Sequence, residues 1–290
     1  MKESRVVMLG TGTPNPTPER SGPCTAVIVE DQAYIVDFGV GLVRGADSAY
    51  QKGIEALRAH RLNRGFLTHL HSDHTIGLPD LILTPWVLER KEPLKIFGPK
   101  GLKNMTDHLL KAYEIDIDSR KHGFEKANEE GIKVEVTEIK EGLVYEDDLV
   151  KVEAFIVNHP PFEAFGFKFT TPDKIIVISG DTTPTENLIK WAKGCDILIH
   201  EVFSSQGVEQ RSPVWKNYHK SVHTSSLQLG EIAKKVNPKK LVLYHQLFFR
   251  VRFEDVSLIT EMDREREMIR EIKENFKGEV ISAKDGDVIF

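Results

Sequence analysis

The stretch His69-Leu70-His71-Ser72-Asp73-His74 holds three imidazoles and one carboxylate within six residues, directly after a short apolar run. His69 and His71 are two residues apart, so in an extended backbone they project to the same side. Asp73 and His74 are expected in a turn or at the start of the following helix, where they can face another way. One loop can therefore present two pairs of ligands to two neighbouring cations. Imidazole nitrogen and carboxylate oxygen suit zinc, and also manganese or iron.

Further ligands are needed, because four residues on one loop cannot close two metal sites. His159, Asp181 and His245 each follow a predicted apolar strand, which delivers its next residue to one edge of a sheet. The carboxylate of Asp181 has two oxygens and can bridge two cations about 3.5 Å apart, as in two-metal hydrolases. Each residue also has a simpler interpretation: His159 as a turn residue before Pro160, Asp181 as a helix N-cap, and His245 as a packed histidine. Together, the three complete the ligand count that two metals need.

The composition is that of an ordinary globular protein. The chain has 290 residues, 40% of them hydrophobic and 29% charged, which excludes disorder as its main state. With 39 Lys and Arg against 44 Asp and Glu, the net charge of −5 argues against a strongly basic nucleic-acid module. Two cysteines, Cys24 and Cys195, are expected to be buried thiols rather than a disulfide framework. Because no apolar run approaches a membrane span or a secretory signal, we expect a soluble protein of the cytoplasm.

Short strand-like runs dominate the first part of the sequence and later alternate with helical patterns. Strands are predicted at 5–9, 24–30, 33–39, 65–69, 93–99, 131–138, 151–157, 164–170, 175–179, 195–200 and 240–244, with a hairpin or strand pair around Asp285–Gly286. Helices are predicted at 48–60, 75–90, 102–113, 185–193, 224–236 and 257–275. Two sheets packed face to face with helices outside accommodate this order, so the predicted fold class is α+β, a four-layer αββα sandwich. Since no linker divides the sequence, we expect a single domain over residues 1–290.

The ordered set of metal-ligand candidates resembles that of the metallo-β-lactamase-fold hydrolases. The resemblance runs from the HLHSDH motif through His159 and Asp181 to His245, and covers nearly the whole chain. More narrowly, the chain resembles the ribonuclease Z branch, which also includes arylsulfatase-like and phosphodiesterase-like members. The features that carry this narrower likeness are Gly10-Thr11-Gly12-Thr13-Pro14 after the first strand, ILIHEVF around His200-Glu201, and His223-Thr224-Ser225.

The resemblance implies two zinc ions, with Mn²⁺ or Fe²⁺ as alternatives, held by seven side chains. One ion would be bound by His69, His71 and His159, the second by Asp73, His74 and His245, and both by Asp181. A water or hydroxide between the ions would be the nucleophile, because metal binding lowers its pKa toward neutrality.

The same resemblance implies further catalytic residues. His223 would give a proton to the leaving oxygen, and Glu201 would fix its imidazole and favour the charged form. Asp73 is also placed among the catalytic residues. A purely structural pairing of Glu201 with His223 is the alternative.

Three features of the sequence differ from ribonuclease Z. Only the 21 residues 160–180 separate the third histidine element from Asp181, which leaves no room for the long arm that clamps transfer RNA. The loop that reads Pro-x-Lys-Arg-Asn in those enzymes is Pro16–Ser21 here, with Glu19 replacing a basic residue. The segment 246–250 reads QLFFR instead of a Ser-x-Arg-Tyr-like run.

These differences favour a dinuclear zinc hydrolase that cleaves a small phosphodiester or sulfate ester. The first alternative is a ribonuclease Z-type endonuclease that processes the 3′ end of transfer RNA. An iron-dependent redox enzyme on the same fold is less favoured, because diiron members of the family place Glu at the position that His71 occupies here. A non-enzymatic metal-binding scaffold is also less favoured, because the set of metal ligands is complete. The expected partner is a small ester, and RNA is the second candidate. No membrane association is expected, and the resemblance to the family implies a homodimer.

Aromatic residues surround two of the candidate site residues. Phe162 is predicted to line a pocket for an apolar leaving group, and Trp215 and Tyr218, in a predicted loop before His223, could form its other wall. Four other histidines are expected on the surface: His60, His108, His122 and His219.

Overall fold

The computed structural model describes residues 3–249 and 260–290. The chain forms two compact units, one built from residues 1–140 together with 284–290, the other from residues 141–283. Each unit contains one seven-stranded mixed sheet. Among the described residues, no helix combines the length and the apolar character needed to cross a membrane. The single domain expected over residues 1–290 stays a prediction.

The sheet of the first unit has an antiparallel half and a parallel half. Its strands are β1 (Arg5–Gly10), β2 (Cys24–Val29), β3 (Gln32–Val36), β4 (Arg64–Phe66), β5 (Leu94–Gly98), β6 (Val134–Glu138) and, from the end of the chain, β14 (Val288–Ile289). Their spatial order is β14-β1-β2-β3-β4-β5-β6, antiparallel from β14 to β3 and parallel from β3 to β6. Because β3 and β4 are parallel neighbours, the residues that follow them reach the same edge of the sheet.

The helices of the first unit only partly follow the sequence pattern. They are α1 (Leu42–Gln51), α2 (Ser72–Thr75), α3 (Leu78–Val87), α4 (Leu102–Ala112) and α5 (Glu114–His122). The prediction at 102–113 is confirmed by α4, and α3 has Pro79 in its first turn, as expected at a helix start. The helix predicted at 48–60 is wrong, because Gly53 takes a φ of 96° just after α1 and short 3₁₀ turns follow at Glu55–Leu57 and Ala59–Arg61.

The loop after β1 is held by a carboxylate from the end of the chain. Asp285 Oδ1 accepts hydrogen bonds from the amide and the hydroxyl of Thr11, at 2.9 and 2.8 Å. Its Oδ2 accepts a third bond, from the amide of Ser21, at 2.6 Å. A side chain at Gly10 would place Cβ 1.9 Å from the carbonyl oxygen of Gly22, so this loop needs glycine to approach its neighbour.

The sheet of the second unit is antiparallel at its start and parallel at its end. Its strands are β7 (Gly142–Glu146), β8 (Lys151–His159), β9 (Phe162–Thr170), β10 (Ile175–Ile178), β11 (Ile197–Phe203), β12 (Lys240–Leu247) and β13 (Glu279–Ser282). They lie in the order β13-β12-β11-β10-β9-β8-β7, antiparallel from β7 to β10 and parallel from β10 to β13. The helices are α6 (Glu186–Ala192), α7 (Ser205–Glu209), α8 (Pro213–Val222), α9 (Ser226–Val236) and α10 (Glu261–Asn275).

Two sequence-based expectations for this unit are wrong. The residues before His223 form helix α8 instead of a loop, with Ser212 as N-cap and Pro213 in the first turn. The final strands do not form a hairpin: β13 pairs with β12, whereas β14 pairs with β1 of the other sheet. Of the helix predicted at 257–275, residues 257–259 lie outside the described residues, as does residue 250 of the QLFFR segment.

Both cysteines are buried and free, as expected. Burial raises the pKa of the Cys195 thiol to about 12. A thiol in such a setting stays protonated and unreactive.

Candidate metal centre

The histidine motif lies between β4 and the start of α2. His71 is the N-cap residue of α2, and Asp73 and His74 lie in its single turn, as the sequence predicts. His69 and His74 are fully buried, and the side chain of Asp73 is 10% exposed. Nε2 of His69 lies 2.9 Å from Nδ1 of His71, so the two nitrogens can serve one cation.

A buried carboxylate that the sequence analysis missed supports this motif. Asp37 follows β3, and its Oδ1 accepts hydrogen bonds from the amide and the hydroxyl of Thr68, both at 2.8 Å. Its Oδ2 lies 2.8 Å from Nδ1 of His74. Metal-binding histidines commonly donate their second ring N–H to such a carboxylate, which fixes the tautomer and leaves Nε2 for the metal. An acidic residue directly after an apolar strand was the available signal.

The backbone after β3 fixes the position of α2. The amide of Phe38 donates to the carbonyl of His74, and the amide of Gly77 donates to the carbonyl of Phe38, both at 2.8 Å. A Cβ on Gly77 would lie 2.3 Å from the carbonyl oxygen of Gly39. Glycine at position 77 therefore lets the two segments approach closely enough for Asp37 to reach His74.

In the second unit, three histidines surround the carboxylate of Asp181. Asp181 follows β10 and is 2% exposed. Its Oδ2 lies 3.5 Å from Nε2 of His245, 3.9 Å from Nε2 of His159 and 3.9 Å from Nδ1 of His223. The structure thus brings together the three residues that the sequence placed directly after predicted strands. The N-cap interpretation of Asp181 is wrong, because Thr185 caps α6.

His245 lies inside a strand and not after it. Strand β12 continues to Leu247, and the pairing with β11 shifts register so that Glu201 faces Tyr244 and Val202 faces Gln246. His245 is the extra residue of this β-bulge and has a φ of 43°. A bulge redirects the side chain of its extra residue, which explains how a residue in mid-strand reaches Asp181.

His159, the last residue of β8, is oriented by a backbone carbonyl. Its Nδ1 donates to the carbonyl oxygen of Val222 at 2.7 Å, which leaves Nε2 as the acceptor. Burial lowers the pKa of His159, partly offset by the nearby charge of Asp181. A neutral imidazole with a free lone pair on Nε2 is the form that binds a metal.

Glu201 and His223 lie side by side, as the resemblance implies. Glu201 is fully buried on β11, and its Oε1 lies 3.3 Å from Nδ1 of His223. The same oxygen accepts hydrogen bonds from the amides of Thr182 and Thr224, at 3.2 and 2.9 Å. The carboxylate therefore joins the segment after β10, the segment after α8 and the imidazole of His223.

The expectation that His219 lies on the surface is wrong. Its side chain is 8% exposed and packs against Trp215, Tyr218, Phe249 and His223. Burial, followed by the nearby positive charges, lowers the pKa of His219 to about 4. The residue lies one helical turn after Trp215 and one before His223, a spacing that could have indicated a shared helix face.

Comparisons with known proteins give one consistent family. Residues 33–246 match the model of the β-lactamase superfamily domain. A ribonuclease Z of Mycolicibacterium gilvum is 32% identical over 252 residues, which cover 83% of this chain and 83% of the relative.

Solved structures agree in fold over the full length. The metallo-β-lactamase fold protein YhfI of Bacillus subtilis superposes with a TM-score of 0.70 at 19% identity and covers 100% of both chains. The short form of human tRNase Z superposes with a TM-score of 0.68 at 23% identity, covering 99% of this chain and 98% of the other.

Proposed function

Since the chain belongs to the β-lactamase superfamily and, within it, to the ribonuclease Z family, we propose that it is a metal-dependent endonuclease that removes 3′ trailers from precursor transfer RNA. The predicted α+β class with the metallo-β-lactamase fold is confirmed by the family match and the superpositions. The observation that carries the proposal is the 32% identity to a ribonuclease Z over 83% of both chains. This likeness favours RNA over the small ester that the sequence differences suggested.

The donor set fits divalent cations. We infer that the ligands are the seven side chains implied by the resemblance, which lie in both units: His69, His71, Asp73 and His74 in the first, and His159, Asp181 and His245 in the second. Support comes from the Nδ1 atoms of His74 and His159, which are held by Asp37 and by the Val222 carbonyl so that Nε2 is the remaining donor. Zinc is the favoured ion for such nitrogen and oxygen ligands. When bound, the ions would supply Lewis acidity and lower the pKa of a bound water.

His223 and Glu201 supply the proton chemistry in this proposal. Nδ1 of His223 faces Oε1 of Glu201, so Nε2 is the atom that carries the proton to the leaving oxygen of the RNA. The adjacent carboxylate favours the charged imidazolium, which is the form that a general acid needs. Burial of Glu201 excludes water from its oxygens and keeps this pairing in place.

Hydrolysis of a small phosphodiester is the second candidate. One observation favours it: only Pro160 and Pro161 join β8 to β9, so the segment between His159 and Asp181 contains no substrate arm. Under the main proposal, RNA must be held by other surfaces. Sulfate-ester cleavage, dimer formation and a cytoplasmic location stay predictions.

The decisive test is cleavage of a precursor transfer RNA that carries a 3′ trailer by zinc- or manganese-loaded protein. A chromogenic phosphodiester is assayed in parallel, and Asp181→Asn is the matched inactive control. We expect trailer removal at the discriminator base, with an apparent affinity that falls as salt rises. Turnover of the diester with intact RNA would instead establish the small-molecule hydrolase.

A further inference from the structure

Helix α8 carries two large aromatic side chains on its outer surface. The side chains of Trp215 and Tyr218 are 50% and 40% exposed. Their rings meet edge to face, with centroids 5.7 Å apart and an interplanar angle of 88°. We refer to these two residues as the α8 platform. Exposing two large aromatic rings to water is unfavourable in free energy. Such pairs commonly bind a ligand that has a flat apolar face.

The α8 platform is fixed relative to the proposed proton donor. The ring of Trp215 stacks on His219 at 5.8 Å and 27°, and His219 stacks on His223 at 5.8 Å and 29°. Phe249 packs against His219 from another side, with centroids 4.6 Å apart. Residues 215, 219 and 223 are four apart, so successive turns bring their rings together. A group stacked on Trp215 would therefore lie at a defined distance from His223.

The charges near the platform suit a polyanion. Residues 209–224 contain three basic residues, Arg211, Lys216 and Lys220, and one acidic residue, Glu209. The guanidinium of Arg211 lies over the ring of Phe249, 5.8 Å from its centroid. Lys216 and Lys220 are held beside the helix by Glu209, at 2.6 and 2.7 Å. Cations beside exposed aromatic rings are the combination with which proteins bind single-stranded nucleic acid.

We propose that the α8 platform stacks an unpaired nucleobase of the RNA next to the bond that is cleaved. This inference rests on the proposed function, because it assigns a contact of the same substrate. Every base has a flat π-face, so stacking on Trp215 and Tyr218 is independent of sequence and suits trailers of varied composition. The platform would also supply part of the affinity for RNA that the clamping arm provides in the ribonuclease Z enzymes that have one.

The first experiment measures binding without cleavage. Two labelled probes of equal length and charge are compared by fluorescence anisotropy: a short oligoadenylate and the same backbone with abasic nucleotides. We expect the unaltered protein to bind oligoadenylate about tenfold or more tightly than the abasic probe. Trp215→Ala should remove this preference, whereas Trp215→Phe should retain most of it. Val214→Ala, on the same helix and 77% exposed in the unaltered protein, is the matched control and should change nothing.

Three results would overturn the proposal. They are equal affinity for both probes in the unaltered protein, an undiminished base preference in Trp215→Ala, and a change from dimer to monomer in Trp215→Ala. The last result would identify the platform as an interface between copies of this chain. If precursor transfer RNA is not cleaved but the base preference depends on Trp215, the endonuclease proposal fails while the platform stands.

A cleavage experiment then locates the stacked base. Precursor RNAs with one abasic nucleotide on either side of the cleaved bond are assayed with the unaltered protein and with Trp215→Ala. At the stacked position, the abasic change should raise KM in the unaltered protein and have no further effect in Trp215→Ala. A direct contact would be contradicted if, at every position, the effects of the abasic nucleotide and of Trp215→Ala on KM multiplied as independent effects do.

Discussion

Nδ1 of His74 lies 2.8 Å from Oδ2 of Asp37, and both side chains are buried. Asp37 has a φ of 64°, a conformation that aspartate, asparagine and glycine tolerate better than other residues. The same carboxylate holds the amide and hydroxyl of Thr68, the residue before the first histidine of the motif. One side chain thus orients both ends of the ligand loop.

Asp37→Ala is expected to weaken metal binding. Loss of the carboxylate frees the tautomer and ring orientation of His74, and the affinity for zinc should fall about 10–100-fold. Asp37→Asn keeps an acceptor oxygen and the backbone preference, so it should lose less. Competition with a chromogenic zinc chelator measures both variants.

If Asp37→Ala unfolds, its zinc affinity no longer reports on the orientation of His74. Circular dichroism of the metal-free proteins therefore tests whether each variant is folded. A folded Asp37→Ala that retains the zinc affinity of the unaltered protein would contradict the orienting role.

Glu201 offers a test that separates structure from chemistry. In Glu201→Ala, the buried amides of Thr182 and Thr224 lose their acceptor, and the free energy of unfolding should fall by about 1–3 kcal/mol for each. Glu201→Gln keeps an oxygen for these amides and should stay within about 1 kcal/mol of the unaltered protein. It removes the charge beside His223, however, so RNA cleavage should fall much further than stability. Urea unfolding and cleavage rates of the two variants check this, and a fully active Glu201→Gln would contradict it.

His223→Ala should keep its metal and lose rate according to the leaving group. Cleavage of RNA expels a poor leaving group, an alkoxide, and should slow by about 10²–10⁴-fold without a general acid. A nitrophenyl diester expels a stable phenolate, which needs little protonation, and should slow far less. Metal content is measured on the same samples. Equal losses with both substrates would exclude proton donation by His223.

The sequence predicted most of the metal-ligand candidates, because their signal is local. A histidine motif after a strand, and single His or Asp residues at strand ends, can be recognised without knowing which strands pair. The edge of one sheet then collects such residues, as with His159 and Asp181 in the second unit.

What the sequence did not predict depends on pairing and packing between distant segments. The bulge at His245 arises from the register between β11 and β12, which no local pattern records. The role of Asp37 depends on the pairing of β3 with β4, and the sequence does not distinguish this residue from the other acidic residues. The burial of His219 follows from helix α8 and the position of Phe249, and the sequence alone suggested a loop there.

Arg90 is expected to be essential for the stability of the first unit. The residue is 1% exposed, and its guanidinium donates to the carbonyls of Leu62, Leu81, Ile82 and Gly131 at 2.8–3.1 Å. Arg90→Met leaves these carbonyls without their donor, and the free energy of unfolding should fall by about 3 kcal/mol or more.

The control for Arg90 is Arg44→Met, at a side chain that is 87% exposed. Its free energy of unfolding should change by less than about 1 kcal/mol. Urea unfolding measures both variants, and similar values for the two would refute the assigned role of Arg90.

His219 should make the folded protein sensitive to acid. Burial, then His223, Arg211 and His245, lowers the pKa of His219 from 6.5 to about 4. Between these values the unfolded chain binds more protons than the folded one, so the free energy of unfolding falls as pH decreases from 6.5 to about 4. His219→Phe keeps a flat ring in the same place and removes this proton uptake. Its stability should therefore decline less steeply with acid.

The measurement is urea unfolding of metal-free protein at several pH values between about 4.5 and 7.5. Burial also lowers the pKa of His159 and of His200, and both residues remain in the variant, so only the difference between the two stability curves reports on His219. His108→Phe, at an exposed histidine of α4, is the matched control and should follow the unaltered protein. Parallel curves for His219→Phe and the unaltered protein would show that His219 takes up its proton equally in both states, contrary to its burial between Trp215 and His223.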